Sequence, residues 1–147
     1  MSFPYVSVLY EFRITSLHKV CHIWRYRKQR PQHLARYLSA LGKRVIYVST
    51  IFDSSDEGHS YRIISNPQLG VCEVRLACSR GGFLHGDNDA ACPKQLGASL
   101  RLLIENLRLC SPIIIVQHPS WQAVLAHHRE QFLVYDCLDY VQGFANP

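Results

Sequence analysis

The short apolar run Ile113–Val116 is the feature of this sequence that most constrains its fold. It lies between Ser111-Pro112 and His118-Pro119, and it shows no alternation between apolar and polar residues. A half-exposed strand would alternate, whereas a strand buried on both faces reads as a continuous apolar run. Such strands belong to parallel sheets that are covered by helices. The sequence therefore predicts an α/β protein.

Strand and helix patterns alternate along the rest of the chain. Between a predicted strand at residues 6–10 and another at 45–48, Leu34, Leu38 and Leu41 recur at helical spacing after Pro31. A strand, a loop, a helix and a second strand in this order predict a βαβ unit. Further helices are predicted to begin near Pro93 and Pro119, Gly42 is predicted to stop the first helix, and a last buried strand is predicted at 132–135.

The middle of the chain predicts a β-hairpin. Residues 61–65 and 71–76 are rich in β-forming residues, and the turn-forming sequence Asn-Pro-Gln-Leu-Gly separates them at 66–70. Residues 79–92 contain three glycines and predict a loop. The predicted fold is an α/β, Rossmann-like parallel sheet flanked by helices, with right-handed crossovers and a β-hairpin insertion. The length of 147 residues fits a single domain over 1–147.

The net charge and the spacing of the cysteines limit the binding partners and the cellular compartment that the sequence predicts. The formal net charge of +5 favours anionic partners such as phosphates, nucleotides or an acidic membrane surface, or describes an ordinary basic surface. None of the six cysteines forms a C-x-x-C pair. This favours reduced cysteines in a cytosolic protein, with a disulfide or a metal site as the alternative. Neither a signal peptide nor an apolar run of about 20 residues is present, so a soluble or peripheral protein is predicted.

Ligands of doubly wound sheets bind beyond the carboxyl ends of the strands, so the segments after the predicted strands are candidates for a site. The first segment contains Trp24 and the cations Arg25, Arg27 and Arg30. Cations near an aromatic ring can hold a phosphate or contact anionic lipid; the alternative is a solvated loop. No G-x-G-x-x-G follows the first strand, so no dinucleotide site is predicted there.

The second and third candidate segments follow the last two predicted strands. His118 precedes a helix N-terminus, where it can bind an anion or a sugar oxygen and exchange a proton near neutral pH, or cap the helix. Trp121 could stack on a sugar ring or pack its helix against the sheet. Asp136 and Asp139 could bind sugar hydroxyls, cap the next helix, or form the carboxylate pair of a glycoside hydrolase, whose required separation the sequence does not fix.

Common catalytic motifs are missing from the sequence. It contains no G-x-S-x-G, no phosphate-binding P-loop and no H-E-x-x-H. These absences argue against the common serine hydrolases, NTPases and zinc metalloproteases. No metal ligand set and no cofactor site are predicted.

Three blocks carry a family pattern. Residues 30–35 read Arg-Pro-Gln-His-Leu-Ala after Trp24, and residues 42–48 read Gly-Lys-Arg-Val-Ile-Tyr-Val. His118-Pro119 comes next, and residues 134–139 read Val-Tyr-Asp-Cys-Leu-Asp before Gly-Phe at 143–144. In this order the blocks resemble the R-P-Q-x-L-A, G-x-x-V and V-Y-D-C-M-D patterns of family-4-like bacterial glycosyltransferases of the GT-B type, in which a Trp precedes the first block.

The resemblance implies an enzyme of polysaccharide biosynthesis that moves a sugar from a nucleotide-sugar to a glycan or lipid acceptor, without metal or cofactor. This chain would be its N-terminal, acceptor-side domain, and the last βα unit and the donor-binding C-terminal domain would be absent, so that the chain alone is expected to be inactive. The resemblance implies that the basic segment, His118 and the pair Asp136 and Asp139 line the acceptor side of the cleft. Together with the strand-end positions, this gives His118, Asp136 and Asp139 as predicted catalytic residues. The predicted substrate-binding residues are Trp24, Arg25, Arg27, Arg30 and Trp121.

The partners implied are a nucleotide-sugar, an acceptor, and the missing domain or a partner chain. The location implied is the cytoplasm, with peripheral contact to the anionic inner face of the membrane and no contact with nucleic acid. One alternative is a non-catalytic sugar- or anion-binding subunit of a two-chain glycosyltransferase. A flavodoxin-like or receiver-like domain is less favoured, because a receiver needs acids at early strand ends and here they follow the last strand.

Overall fold

The computed structural model describes residues 6–9, 30–56, 59–80, 82–83, 91–117, 121–126, 128 and 132–136, and these form a mixed α/β protein with a parallel sheet and helices. The strands are β1 (Val6–Leu9), β2 (Val45–Val48), β3 (Ile51–Ser54), β4 (His59–Gln68), β5 (Val71–Cys78), β6 (Gly82–Phe83), β7 (Ile113–Val116) and β8 (Phe132–Tyr135). The helices are α1 (Arg30–Ala40), α2 (Ala91–Asn106) and α3 (Trp121–Leu125).

Five parallel strands of four or more residues lie side by side in the order β5, β2, β1, β7, β8, and the short strand β3 is also parallel to β5. β1 is bonded on both sides: Val6 is the partner of Val45 in β2 and of Ile113 in β7. Numbered along the chain, these strands follow the order 3-2-1-4-5, so the direction of winding reverses between β1 and β7. The predicted parallel sheet is confirmed. The short strand β3, which follows β2 along the chain, pairs in parallel with the end of β5. β6 pairs antiparallel with β3.

The predicted hairpin is confirmed, but it is not an insertion beside the sheet. β4 and β5 pair antiparallel from His59 and Cys78 to Gln68 and Val71. β5 also pairs in parallel with β2, so the second strand of the hairpin belongs to the main sheet. The register shifts between Ser65 and Gln68, where Pro67 has no N–H to donate; this explains why a turn-like sequence can lie within an edge strand.

The two faces of the sheet carry separate apolar clusters. Side chains alternate along β2: Val45 and Tyr47 pack with Ala35 of α1, and Ile46 and Val48 belong to the larger cluster on the other face. That larger cluster contains the buried side chains of α2 and α3: Leu96, Leu100, Leu103, Trp121, Val124 and Leu125. The sheet therefore lies between α1 on one face and α2 with α3 on the other.

Several elements differ in detail from the sequence prediction. The helix predicted from Pro31 is α1, but Leu41 lies beyond its end and is exposed. The buried residues of α1 are Pro31, Gln32 and Ala35, and none of the predicted leucines is among them. α2 begins two residues before Pro93, and β6 lies in the predicted loop. β8 was predicted to be buried, yet its side chains are exposed: Phe132, Leu133, Val134 and Tyr135. No helix in the described part of the chain is both long and apolar enough to cross a bilayer.

Two glycines with positive φ allow a test of how closely the β4–β5 turn packs against α1. Gly70, in the turn between β4 and β5, has φ of 79°, and a Cβ atom there would lie 2.7 Å from Ser39 Oγ. Gly42 has φ of 75°, and its Cβ would meet nothing within 4 Å. We expect Gly42→Ala to cost about 1–2 kcal/mol of unfolding free energy through backbone strain alone. Gly70→Ala should cost about 1 kcal/mol more, because Ser39 must move and weaken its hydrogen bond to the Leu69 carbonyl.

Urea unfolding of both variants, compared at equal m-value, measures this difference. Equal losses of unfolding free energy would contradict the close packing of the β4–β5 turn against α1.

Candidate functional site

Asp136 lies at the edge of the sheet formed by the carboxyl ends of the parallel strands, here called the carboxyl edge, and it contacts the start of α1. It directly follows β8, and its N–H donates to the Val116 carbonyl at 2.7 Å, which extends the parallel pairing by one residue. This bond fixes the backbone that carries the carboxylate. The Asp136 side chain is 18% exposed, so one part of it faces protein and another faces solvent.

Both carboxylate oxygens of Asp136 have a partner from a distant part of the chain. Arg30 Nη2, at the start of α1, lies 2.6 Å from Asp136 Oδ1. Gln117 Nε2, directly after β7, donates to Asp136 Oδ2 at 2.5 Å. Because hydrogen bonds to an ionised group are stronger than neutral ones, these contacts hold the carboxylate in one orientation. The three residues Arg30, Gln117 and Asp136 are called the rim triad below.

The two partners of Asp136 differ in environment. The Arg30 side chain is 61% exposed, so water and salt weaken its ion pair. Gln117 is 3% exposed, and its Oε1 atom is buried without a hydrogen-bond partner among the described residues. A buried acceptor without a partner costs free energy. The amide of Gln117 is thus anchored by Asp136 through its nitrogen and can accept a further hydrogen bond through its oxygen.

An open groove of about 610 Å³ lies beside the rim triad on the α1 face of the sheet. One wall is α1 and the other is formed by β7 and β8. Its lining residues are Arg30, His33, Leu34, Tyr37, Ile115, Val134, Tyr135 and Asp136. The groove therefore combines an ion pair with apolar side chains and the exposed rings of Tyr37 and Tyr135.

Ser49 and Thr50 form another part of the carboxyl edge, directly after β2. Both are buried. Ser49 donates its N–H to the Val74 carbonyl at 2.8 Å and accepts a hydrogen bond from the Ile51 N–H through its hydroxyl. Thr50 Oγ1 is buried and has no hydrogen-bond partner among the residues that the structure describes. Hydroxyl groups thus occupy the end of β2, and an amide and a carboxylate occupy the ends of β7 and β8.

The structure places three of the predicted site residues. Arg30 and Asp136 are brought together, as described above. Trp121 is fully buried and packs edge-on against Phe52, with ring centroids 6.0 Å apart, in the apolar cluster on the face opposite the groove. This is the packing role that the sequence left open, and contact of its ring with a sugar stays a prediction. Trp24, Arg25, Arg27, His118 and Asp139 lie outside the described residues, so their predicted roles stay predictions.

The sequence prediction missed Gln117, Ser49 and Thr50. Each lies within two residues of the end of a predicted strand, which is the same signal that singled out Asp136. Neutral polar residues at strand ends are common, and they carry no charge that would have drawn attention. What marks Gln117 is its contact with Asp136, which depends on the pairing of β7 with β8.

A second polar cluster lies on β3, β4 and β5. Asp53 binds Arg62 through two hydrogen bonds of 2.9 Å, and Arg75 Nη1 lies 3.6 Å from Asp53 Oδ1. Nearby, burial and the adjacent Glu73 raise the pKa of the Tyr47 hydroxyl above its ordinary value, so this hydroxyl is neutral at physiological pH. These contacts tie neighbouring strands together, and we assign the cluster a structural role.

Within the described residues, no group of three or more His, Cys, Asp or Glu side chains is arranged to hold a metal ion. Comparison of the chain with models of protein families, with curated proteins and with solved structures gave no match. The family resemblance therefore depends on the sequence blocks alone.

Removal of the Asp136 carboxylate should cost more stability than removal of either exposed arginine on α1. We expect Asp136→Ala to lower the unfolding free energy by about 1–3 kcal/mol, because the buried Gln117 amide loses its bond to the carboxylate. Arg30→Ala should cost less than about 1 kcal/mol, because the ion pair is exposed. Arg36→Ala, on the same helix, is the matched control.

Urea unfolding of the three variants checks this order of losses. If Arg30→Ala costs as much as Asp136→Ala, the buried amide is not the main partner of the carboxylate.

Proposed function

We propose that this chain is the N-terminal, acceptor-side domain of a family-4-like glycosyltransferase of the GT-B type. One observation carries the proposal. Arg30 belongs to the first of the sequence blocks that resemble this family and Asp136 belongs to the last, and their side chains lie 2.6 Å apart. Two blocks separated by 106 positions along the chain therefore contribute to one site.

The strand order adds support that is independent of the motifs. The order 3-2-1-4-5 is the one found in Rossmann-like sheets, which bind ligands where the strand order reverses, beyond the carboxyl ends of the strands. The reversal lies between β1 and β7, and Gln117 directly follows β7. Gln117 and Asp136 thus lie at the edge where this class of sheet binds its ligands.

The chemistry of the groove suits a sugar-containing acceptor. Sugar hydroxyls can donate to the Asp136 carboxylate, and the Arg30 guanidinium can donate to a phosphate or a hydroxyl oxygen. The exposed rings of Tyr37 and Tyr135 offer apolar surface to the carbon skeleton of a sugar or to a lipid chain. Such a site contributes to sugar transfer by holding the acceptor in position for the reaction.

The proposal assigns the donor site and the transfer step to residues outside the described part of the chain. The nucleotide-sugar would bind mainly on a second domain. His118 and Asp139 would line the cleft between the domains, where stabilisation of the departing phosphate lowers the barrier. The exposed apolar side chains of β8 support a contact with a further part of the enzyme, because clusters of exposed apolar residues mark interaction surfaces.

Ligand-observed NMR with the purified chain tests the proposal. The probes are a short-chain polyprenyl-phosphate sugar as acceptor and UDP-glucose as donor. We expect saturation transfer to the acceptor sugar, weakened at least about fivefold by Asp136→Ala, because each bond to a charged group contributes about 1.5–3 kcal/mol. Arg36→Ala, which removes an arginine that does not line the groove, should bind as the unchanged chain does.

Two results would contradict the proposal. One is binding of UDP-glucose alone at micromolar strength, because the donor pocket is assigned to another domain. The other is acceptor binding that Asp136→Ala and Arg36→Ala weaken equally, because the loss would then not depend on whether the residue lines the groove.

A further inference from the structure

Two thiol groups lie side by side at the junction of β5 and α2. Cys78 is the last residue of β5 and Cys92 is the second residue of α2, and their Sγ atoms are 3.2 Å apart. Neither cysteine is joined in a disulfide bond. A disulfide bond brings two sulfur atoms to about 2.05 Å, so a movement of about 1 Å would join them.

Hydrogen bonds already hold the two backbones around this pair. Gln95 Oε1 on α2 accepts from the N–H of Ser79 at 2.9 Å and from its hydroxyl at 2.8 Å. One turn further along α2, the hydroxyl of Ser99 donates to the Ala77 carbonyl at 2.5 Å. The end of β5 is thereby fixed against α2 on either side of Cys78. Bond formation between the thiols needs local adjustment and no rearrangement of the fold.

The two thiols differ in access. Cys78 is fully buried in the larger apolar cluster, and its Sγ lies 2.7 Å from the Arg80 carbonyl oxygen, to which it donates. Cys92 is half-buried and packs against the same cluster from its edge. A reagent in solution therefore meets the sulfur of Cys92 first, and Cys78 is placed to react from inside.

We propose that Cys78 and Cys92 form a reversible intrachain disulfide by exchange with a low-molecular-weight disulfide such as oxidised glutathione. The Cys92 thiolate attacks one glutathione sulfur, and the other glutathione leaves as a thiolate that takes up a proton. Cys78, after loss of its proton, attacks the Cys92 sulfur and releases the second glutathione. Two protein thiols are oxidised to one disulfide, and one glutathione disulfide is reduced to two thiols.

This modification would join the end of a central strand to the start of a helix. The bond would close the loop over residues 79–91 and remove freedom from the unfolded chain. The expected consequences are a higher thermal midpoint for the oxidised chain and a return to the lower midpoint after reduction. The proposal does not depend on the function assigned to the rim triad.

Equilibration of the full chain in graded mixtures of reduced and oxidised glutathione tests the proposal. After quenching with acid, intact mass and peptide mapping identify the product. We expect a loss of about 2 Da that dithiothreitol reverses, with the bond mapped to Cys78 and Cys92. The Cys78→Ser variant should stop at a glutathione adduct on Cys92, because the resolving thiol is missing.

The matched controls are Cys72→Ser and Cys110→Ser, which should form the same bond at the same glutathione ratio. The mapping in the unchanged chain stands even if Cys78→Ser fails to fold. Mapping of the bond to another pair would overturn the proposal. So would a stable glutathione adduct on Cys92 in the unchanged chain, because it would show that Cys78 does not resolve it.

Discussion

The pairing of β1 with a parallel strand on each side is the constraint on which the rest of the structure depends. Val6–Leu9 bonds to β2 in one direction and to β7 in the other. The chain must therefore leave β1 towards one half of the sheet and return to the other half later. This arrangement needs helices on both faces, and the clusters around Ala35 and around Leu96 show that both faces are covered. It also aligns the carboxyl ends of all five parallel strands at one edge.

The rim triad follows from that alignment. Gln117 and Asp136 follow neighbouring parallel strands, so their backbones lie side by side, and α1 begins close enough for Arg30 to reach the same carboxylate. Each of these contacts joins residues that are far apart along the chain. The groove has the same origin, since its two walls are α1 and the pair of strands β7 and β8. The strand order thus accounts for the position of the site, and the residue types at the strand ends account for its chemistry.

Sequence patterns were sufficient where a signal is local. The unbroken run Ile113–Val116 predicted a strand of the parallel sheet, and Pro93 predicted the start of a helix to within two residues, both of which the structure confirms. The exposure of β8 was not predictable, because an apolar run shows which side chains favour burial and not whether a neighbour covers them. Gln117 was missed for a related reason. Its role depends on the register between β7 and β8, and the sequence of one strand alone does not reveal that register.

Amide hydrogen exchange under native conditions tests the strand order most directly. We expect the amides of β1 to exchange slowly, near the limit set by global unfolding, because both edges of this strand are bonded. The amides of β8, which pairs with β7 alone among the described strands, should exchange faster. If β1 exchanges as fast as β8 while β7 is protected, β1 does not lie between β2 and β7. The shared edge, the rim triad and the proposed acceptor site would then lose their basis.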